Sequence, residues 1–437
     1  MFKRFLTVVA LLGLAVIAFF WFSGKTLMLR TNPDPIKFIG NSTPLSVQVD
    51  GAHGIKRFLA RIEQDGQSAI AFSDNRATKA PERTYNFDVG RKSAAFLKEG
   101  KATLTVEAKS NDFSGATTRE SFDVQVILRR PSIAADGLQH YINQGGSELV
   151  TFDVSGSWSE AGVKVGSYTI ASYAMPGEPD SSHHRFSLFP YSWDLAADTV
   201  PVAYVKNAAG DQDTAAFWVK VFPKKFHEST ITLTDGLMKR IVDDIDPDGK
   251  IPGDTLDRYL YCNRELRKIN ARQLYEMRLK TAHEILWNGA FVRPPTKTES
   301  YFADRRTYVY NGKKVDEQVH LGFDLASTMH MPIRAANSGK VIWAERLGIY
   351  GNCIVLDHGY GLQTIYGHLS RIDVKPGDSV AKDQQMGLSG QTGMAGGDHL
   401  HFSMQVDGVQ VNPMEWWDEH WIHDRILSKI GQQVTKR

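Results

Sequence analysis

Cysteine is nearly missing from this sequence: two residues, Cys262 and Cys353, serve 437 positions. Two thiols do not make a disulfide framework. Cys353 lies in the apolar run Cys353-Ile-Val-Leu356 and reads as a small core residue; a Cys262 to Cys353 bridge is the one pairing open to an oxidising compartment. Net charge is missing too. Lys and Arg number 51 against 49 Asp and Glu, leaving +2, whereas nucleic-acid binding usually announces itself by a basic face. No nucleic-acid partner is expected, although local positive charge would still suit an anionic polymer. What is present is the composition of ordinary globular protein, 42% apolar and 23% charged, in a chain long enough for about three domains.

The N-terminus carries an almost unbroken apolar run from Phe5 to Phe22. At ~1.5 Å rise per residue it covers ~27 Å, close to the ~30 Å hydrocarbon core of a bilayer. Lys3 and Arg4 keep the short N-terminal side in the cytoplasm, and no small-x-small cleavage pattern follows Phe22. Residues 1–24 are therefore expected to be an uncleaved single-pass membrane anchor, with everything after Gly24 outside the cytoplasm.

Between Pro35 and Lys224, short alternating runs such as Leu45-Ser-Val-Gln-Val49 and Phe122-Asp-Val-Gln-Val-Ile127 are separated by Gly, Asn, Asp and Ser clusters, the signature of half-buried strands in a sandwich. A weak repeat relates the strand ending at Arg130-Pro131 to the one ending at Phe222-Pro223. Two tandem immunoglobulin-like β-sandwiches, residues 35–130 and 131–225, are expected. They could serve as spacers, as docking surfaces for a protein partner, or as a cover over a neighbouring groove. Phe189, Tyr191, Trp193, Phe217 and Trp218 are assigned to sandwich core, and His183-His184 to a solvated loop. The pattern then turns helical: Leu256, Tyr259, Leu260, Asn263, Leu266 and Ile269 recur at three- and four-residue steps, predicting an amphipathic helix in a connector over residues 226–290. Asp244-Ile-Asp246-Pro-Asp248-Gly249 resembles the start of an EF-hand loop, but Thr255 stands where a bidentate Glu is wanted; an acidic turn between helices is the expected reading.

Pro294-Pro295 marks a boundary, and Asn311-Gly312 between Tyr308-Val-Tyr310 and Lys313 predicts a hairpin that brings Tyr308 or Tyr310 toward a site rim. Beyond it, five residues able to bind or work beside a divalent metal fall between His320 and His401. Strand alternation sends His399 and His401 to one face and would do the same for His320, Gly322 and Asp324, with Gly322 leaving room for close backbone approach. Catalytic zinc takes three protein ligands and leaves a fourth position to water. Two imidazoles are then left over, with the pKa range for a general base or for stabilising a tetrahedral intermediate.

Taken in order, His320-x-Gly-x-Asp324, Gly351-Asn352 through Asp357-His358-Gly359, Tyr366-Gly367-His368-Leu369, Gly390-x-Thr392-Gly393 and His399-Leu-His401-Phe402 resemble the lysostaphin and LytM-type zinc endopeptidases of bacterial cell walls. The likeness covers about residues 290 to 418 and departs from the common pattern at Gly396-Gly397-Asp398. It implies an antiparallel-β metallopeptidase domain over residues 291–418, a short C-terminal helix over 419–437, and one Zn2+ held by His320, Asp324 and His401. It further implies that His368 and His399 flank the attacking water and the scissile carbonyl. The whole is then mainly β. With the anchor, the resemblance points to an inner-membrane, periplasmic enzyme that hydrolyses peptide bonds in peptidoglycan stems or cross-links. The alternative is a scaffold or activator of another wall hydrolase. Trp416 and Trp417 are assigned to packing.

Overall fold

The computed structural model of the chain describes residues 11–17, 27–113, 115–326 and 328–431. Of the expected anchor, residues 11–17 are helical and the remainder lies outside the described residues; among those described, no helix is long and apolar enough to cross a membrane. The fold is mainly β, as the alternation predicts. It divides into two compact units, one of Met1–Ser132, Ser155–Glu160 and Val205–Asp213, the other of Ile133–Val154, Ala161–Tyr204 and Thr214–Arg437.

In the first unit, strands Met28–Asn32, Thr43–Asp50 and Glu82–Val89 form one antiparallel sheet. Four antiparallel strands spanning Ile55–Gln64, Gln67–Asp74, Gly100–Ser110 and Thr117–Val126, with the short Phe38–Ile39 at the edge, form the other. Alternation puts Leu45, Val47 and Val49 inward, where they join Phe58, Ile62, Leu104 and Val106 in one core. Phe58 stacks on Tyr85 with ring centroids 4.3 Å apart.

In the second unit, Ser147–Ser155 and His184–Pro190 pair antiparallel, and Leu149, Phe186 and Leu188 from these strands pack into the same core as Tyr360, Leu362 and Trp416 of the C-terminal domain. Phe189, Tyr191 and Phe217 are buried, but Trp218 is 47% exposed and lies edge-on against Tyr141. Neighbours in an extended segment face opposite sides, so Phe217 inside forces Trp218 out. Trp193 is half-buried beside Phe226. His184 is exposed and belongs to no convergent ligand group among the described residues.

Glu415 lies where this sandwich packs on the C-terminal domain. Its carboxylate accepts hydrogen bonds from Asn143 Nδ2 (2.7 Å) and the Ser147 N–H (3.0 Å), and burial lifts its pKa to about 7. A carboxyl whose folded pKa is raised contributes stability below its unfolded value of about 4.3, and that contribution is lost as pH climbs through the folded value; the total is at most about 4 kcal/mol. Glu415→Gln is therefore expected to gain in melting temperature over the parent as pH rises from 5 to 8, and a gap that stays constant over that range would refute this.

Helix α1 (Asp235–Ile245) is capped by Thr234, α2 (Thr255–Tyr261) begins with an Asp254/Asp257 capping box, and a π-helical turn at Cys262–Leu266 leads into α3 (Arg267–Met277). The extra residue of a π turn rotates the helix beyond it. The buried stripe accordingly moves from the expected Ile269, which is 49% exposed, to Asn270, Leu274 and Met277. The acidic turn after α1 uses its carboxylates within the fold: Asp244 accepts from Arg346 and the Gly393 N–H, and Asp246 from the Lys250 and Ile251 N–H groups and from Arg258. Cys262 and Cys353 are both buried and unpaired.

The C-terminal domain is built on one antiparallel sheet. Its strands are β1 (Lys297–Ser300), β2 (Phe323–Ala326), β3 (Gly339–Arg346), β4 (Asn352–Asp357), β5 (Leu362–Leu369), β6 (Ser379–Val380) and β7 (Leu400–Val406), in the order β1-β2-β7-β5-β4-β3-β6. The Asp304–Tyr310/Lys313–His320 hairpin turns at Asn311 and Gly312, both with positive φ, as a tight Asn-Gly turn requires. Tyr308 is buried, and the Tyr310 hydroxyl donates to Asp235. Trp416 is fully buried, and Trp417 stacks on Phe402. The last residues form short helical turns, Glu419–Ile422 and His423–Leu427; 432–437 lie outside the described residues.

Candidate metal centre

His320 and Asp324 do not share a strand face, contrary to the simple alternation. His320 ends the hairpin, the chain breaks at Leu321-Gly322, and Asp324 opens on β2, which pairs with β7 so that Asp324 faces His401. The break is possible because position 322 is glycine: a Cβ there would collide with Ser403 Oγ and lie 2.6 Å from His401 Cε1. His401 and the neighbouring strand are thus brought against the backbone.

Three donor atoms meet at one point. His320 Nε2 is 2.9 Å from His401 Nδ1, and Asp324 Oδ1 is 3.0 Å from the former and 3.1 Å from the latter. A tetrahedral zinc site with bonds of about 2.0–2.1 Å has ligand-to-ligand edges of about 3.3 Å, so this triangle fits the metal. The group is the one set of His, Cys, Asp and Glu ligand atoms that converges among the described residues.

The far side of each ligand is held as well. Ser403 Oγ spends its proton on the Leu321 carbonyl (2.7 Å) and so accepts from His401 Nε2–H (2.8 Å), leaving the Nδ1 lone pair toward the site. The Tyr301 carbonyl, 3.2 Å from His320 Nδ1, fixes that ring with Nε2 bare. Arg306 Nη2 donates to Asp324 Oδ2 at 2.7 Å and also to Ser300. Such partners orient ligands and tune their basicity. Ser403→Ala is expected to weaken zinc binding about 10-fold, at the lower end of the 10- to 100-fold range for such contacts, in competition against a chromophoric chelator. Unchanged affinity would show that Ser403 does not orient the ring.

His368 and His399 face the same space. Their ring centroids are 4.9 Å apart, and His368 is 5.7 Å from His401. His368 sits where the β4/β5 register slips, with φ +65°, and this bulge turns its ring off the strand. Its Nδ1–H donates to the Thr392 carbonyl at 2.8 Å, and that of His399 to the Gly397 carbonyl at 2.9 Å. Both rings are left with a bare Nε2, the His399 nitrogen lying 3.4 Å from Asp324 Oδ1. The Gly396-Gly397-Asp398 departure thus supplies the carbonyl that orients His399, while Asp398 is tied to Ser389 and the His330 N–H.

The electrostatics follow from burial. Desolvation pushes the pKa of His368 well below the ordinary histidine range and that of His401 to about 4, and it lowers His320. Burial acts in the same direction on His399, but the hydrogen bond that Nε2 can donate to Asp324 once the ring is protonated, and the Asp324 charge, outweigh it and raise the value. Burial also works to raise Asp324, yet His320 first, and then His399 and His401, each able to donate to the carboxylate when its ring is protonated, hold it well below the usual carboxylate range. The result is one fixed carboxylate amid converging imidazole nitrogens, with the proton favoured on His399 and disfavoured on His320, His368 and His401.

A cavity of about 130 Å³ above these groups is lined by Tyr350, Met394 and Gln410, and by Arg267 and Ala271 of α3. A second, of about 400 Å³, adjoins it along Tyr259, Tyr301, Tyr308 and Glu299. Helix α1 holds one wall, since Arg240 donates to the carbonyls of Gln391, Ala395 and Gly396. Tyr308, a buried side chain, lines the second cavity. Arg306, Ser403 and Arg267 were not identified from the sequence; only Ser403, two residues after His401 on the same strand face, left a signal there.

On this antiparallel sheet His320, Asp324 and His401 form a candidate metal centre, with two further imidazoles across the opening. Residues 318–413 match the profile of peptidase family M23, and the C-terminal domain of the chain is an M23 domain. Over 96 residues, 22% of this chain and 22% of the relative, it is 40% identical to the peptidoglycan DD-endopeptidase ShyA of Vibrio cholerae. Over 97 residues, again 22% of each, it is 35% identical to the DD-carboxypeptidase/endopeptidase Mpg of Neisseria meningitidis. The chain thus spans about a fifth of the length of these curated relatives. A putative M23 peptidase structure from Pseudomonas aeruginosa aligns at 21% identity with a TM-score of 0.39, covering 63% of this chain and 94% of that one.

Proposed function

We propose that the chain is a zinc endopeptidase that hydrolyses peptide bonds in peptidoglycan stems or cross-links. Residues 1–24 would anchor it in the inner membrane, with the remaining domains, including immunoglobulin-like modules able to engage a protein partner, in the periplasm. The observation that carries the reading is the convergence of His320, Asp324 and His401 with His368 and His399 opposite, each ring fixed by its own acceptor. The M23 match and the names of the relatives support the substrate class.

His320, Asp324 and His401 would hold the metal. The chemistry that a bound zinc supplies is Lewis acidity, which lowers the pKa of water from about 15.7 toward about 7 and polarises a carbonyl. The protein does the rest. One of His368 and His399 accepts the proton of the attacking water at its bare Nε2, and the other, protonated, donates to the oxygen of the tetrahedral intermediate. Buried walls from Tyr350 and Ile349 keep that exchange from bulk solvent, where such hydrogen bonds are weaker.

The test is digestion of purified peptidoglycan by the full chain with zinc and with chelator, followed by mass analysis of the soluble products. Zinc-dependent release of stems cut between D-Ala and meso-diaminopimelate is expected. No release with metal bound would overturn the peptidase reading in favour of a scaffold or activator.

A further inference from the structure

We infer that Arg267 is a specificity-determining residue that binds a carboxylate of the peptide substrate, so that the site takes acidic peptides over neutral ones. The inference rests on the peptidase reading and deepens it.

Two arginines line the cavities at the metal centre, and their situations differ. Arg306 is committed, with one guanidinium nitrogen on Asp324 Oδ2 and Ser300 and its Nε near Asp304. Arg267 lines both cavities and has no carboxylate partner within ion-pair distance among the described residues. Among the described residues its hydrogen bonds run to Asn263 alone: Nε to the carbonyl at 3.1 Å and Nη2 to the side-chain oxygen at 2.8 Å. Asn263 is itself fixed from behind, donating to Asp316 at 2.8 Å, and both are buried. The other arginines on this helical stretch, Arg258, Arg264 and Arg272, each pair with Asp or Glu.

A guanidinium is always charged and presents five donors in a fixed fork. With two donors used to brace it on Asn263, the rest are left for a group entering the cavity. It is half-buried, so an incoming carboxylate meets it partly out of water, where a charge-assisted bond is stronger. The neighbouring lining of the first cavity is Ile349, Tyr350, Met394 and Gln410; the carboxylates that share the cavities, Asp324, Asp304 and Glu299, lie beyond ion-pair distance of Arg267, and the first two are held by Arg306. The π-helical turn at Cys262–Leu266 immediately before Arg267 sets the rotation of the helix at this residue, and such turns are frequent at functional sites. Wall stems carry free carboxylates on their acidic residues, which matches the chemistry that this arginine selects.

The experiment compares the zinc-loaded full chain on two soluble substrates, a cross-linked stem-peptide dimer with free carboxylates and the same dimer with those groups converted to carboxamides. The parent is expected to cleave the acidic dimer with KM roughly 10- to 100-fold lower and similar kcat, the pattern of a binding contact remote from the reacting atoms. Arg267→Ala should raise KM for the acidic dimer to that of the amide and leave the amide unchanged, while Arg267→Lys recovers part of the preference. If the parent cleaves both dimers equally, or Arg267→Ala keeps the preference, the role of Arg267 is overturned and the peptidase reading stands. The parent comparison needs no variant to fold. If the zinc-loaded parent cleaves neither dimer, the peptidase reading fails and this inference fails with it.

Discussion

His320→Ala and His401→Ala are each expected to reduce peptide release from the wall by at least about a thousandfold and to leave protein that no longer retains zinc. The three donor atoms lie within about 3 Å of one another, so each contributes one corner of the same polyhedron. A bound metal supplies several kcal/mol of transition-state stabilisation; at 1.36 kcal/mol per tenfold in rate, losing it removes about three decades or more. Chelation of the parent should match the variants, and zinc should restore the parent alone. Metal content by elemental analysis, read beside the melting temperature, separates lost ligation from lost fold. A His320→Ala protein that binds zinc tightly and releases peptides at the parent rate would remove His320 from the site.

His368→Ala and His399→Ala are expected to behave differently, losing about 10²- to 10⁴-fold in kcat with zinc content unchanged. Neither ring belongs to the converging triangle, and each spends its Nδ1–H on a backbone carbonyl. Removing either therefore takes a proton carrier from the opening while leaving all three ligands in place. The double variant should be little worse than the poorer single one, because groups that act as a unit are not additive. A single variant with parental kcat would show that its imidazole is not part of the proton transfer.

The sequence made the site legible mainly through short-range periodicity. His399-Leu400-His401 sends two imidazoles to one face because neighbouring residues in an extended chain alternate, and Asn311-Gly312 specifies its turn because both residues tolerate positive φ. The same rule misled over His320 and Asp324, which converge from two strands across a break that only the tertiary packing of His401 against Gly322 explains. Ile269 failed for a related reason: a π turn adds one residue to the helical count, and no local composition announces it. Arg306 and Arg267 act through partners 18 and more residues away or through a cavity, so periodicity carried no trace of them. The EF-hand likeness shows the converse, since Asp244 and Asp246 hold the fold together through Arg346, Gly393 and Arg258, leaving an acidic turn where a motif resembles a calcium loop.

The most direct measurement is a titration of the metal-stripped full chain with zinc, following soluble peptide release from purified peptidoglycan together with bound metal. Release that rises in proportion to zinc and saturates at one ion per chain is the expected result. Zinc bound to one equivalent with no release at any point would contradict a catalytic role for this centre.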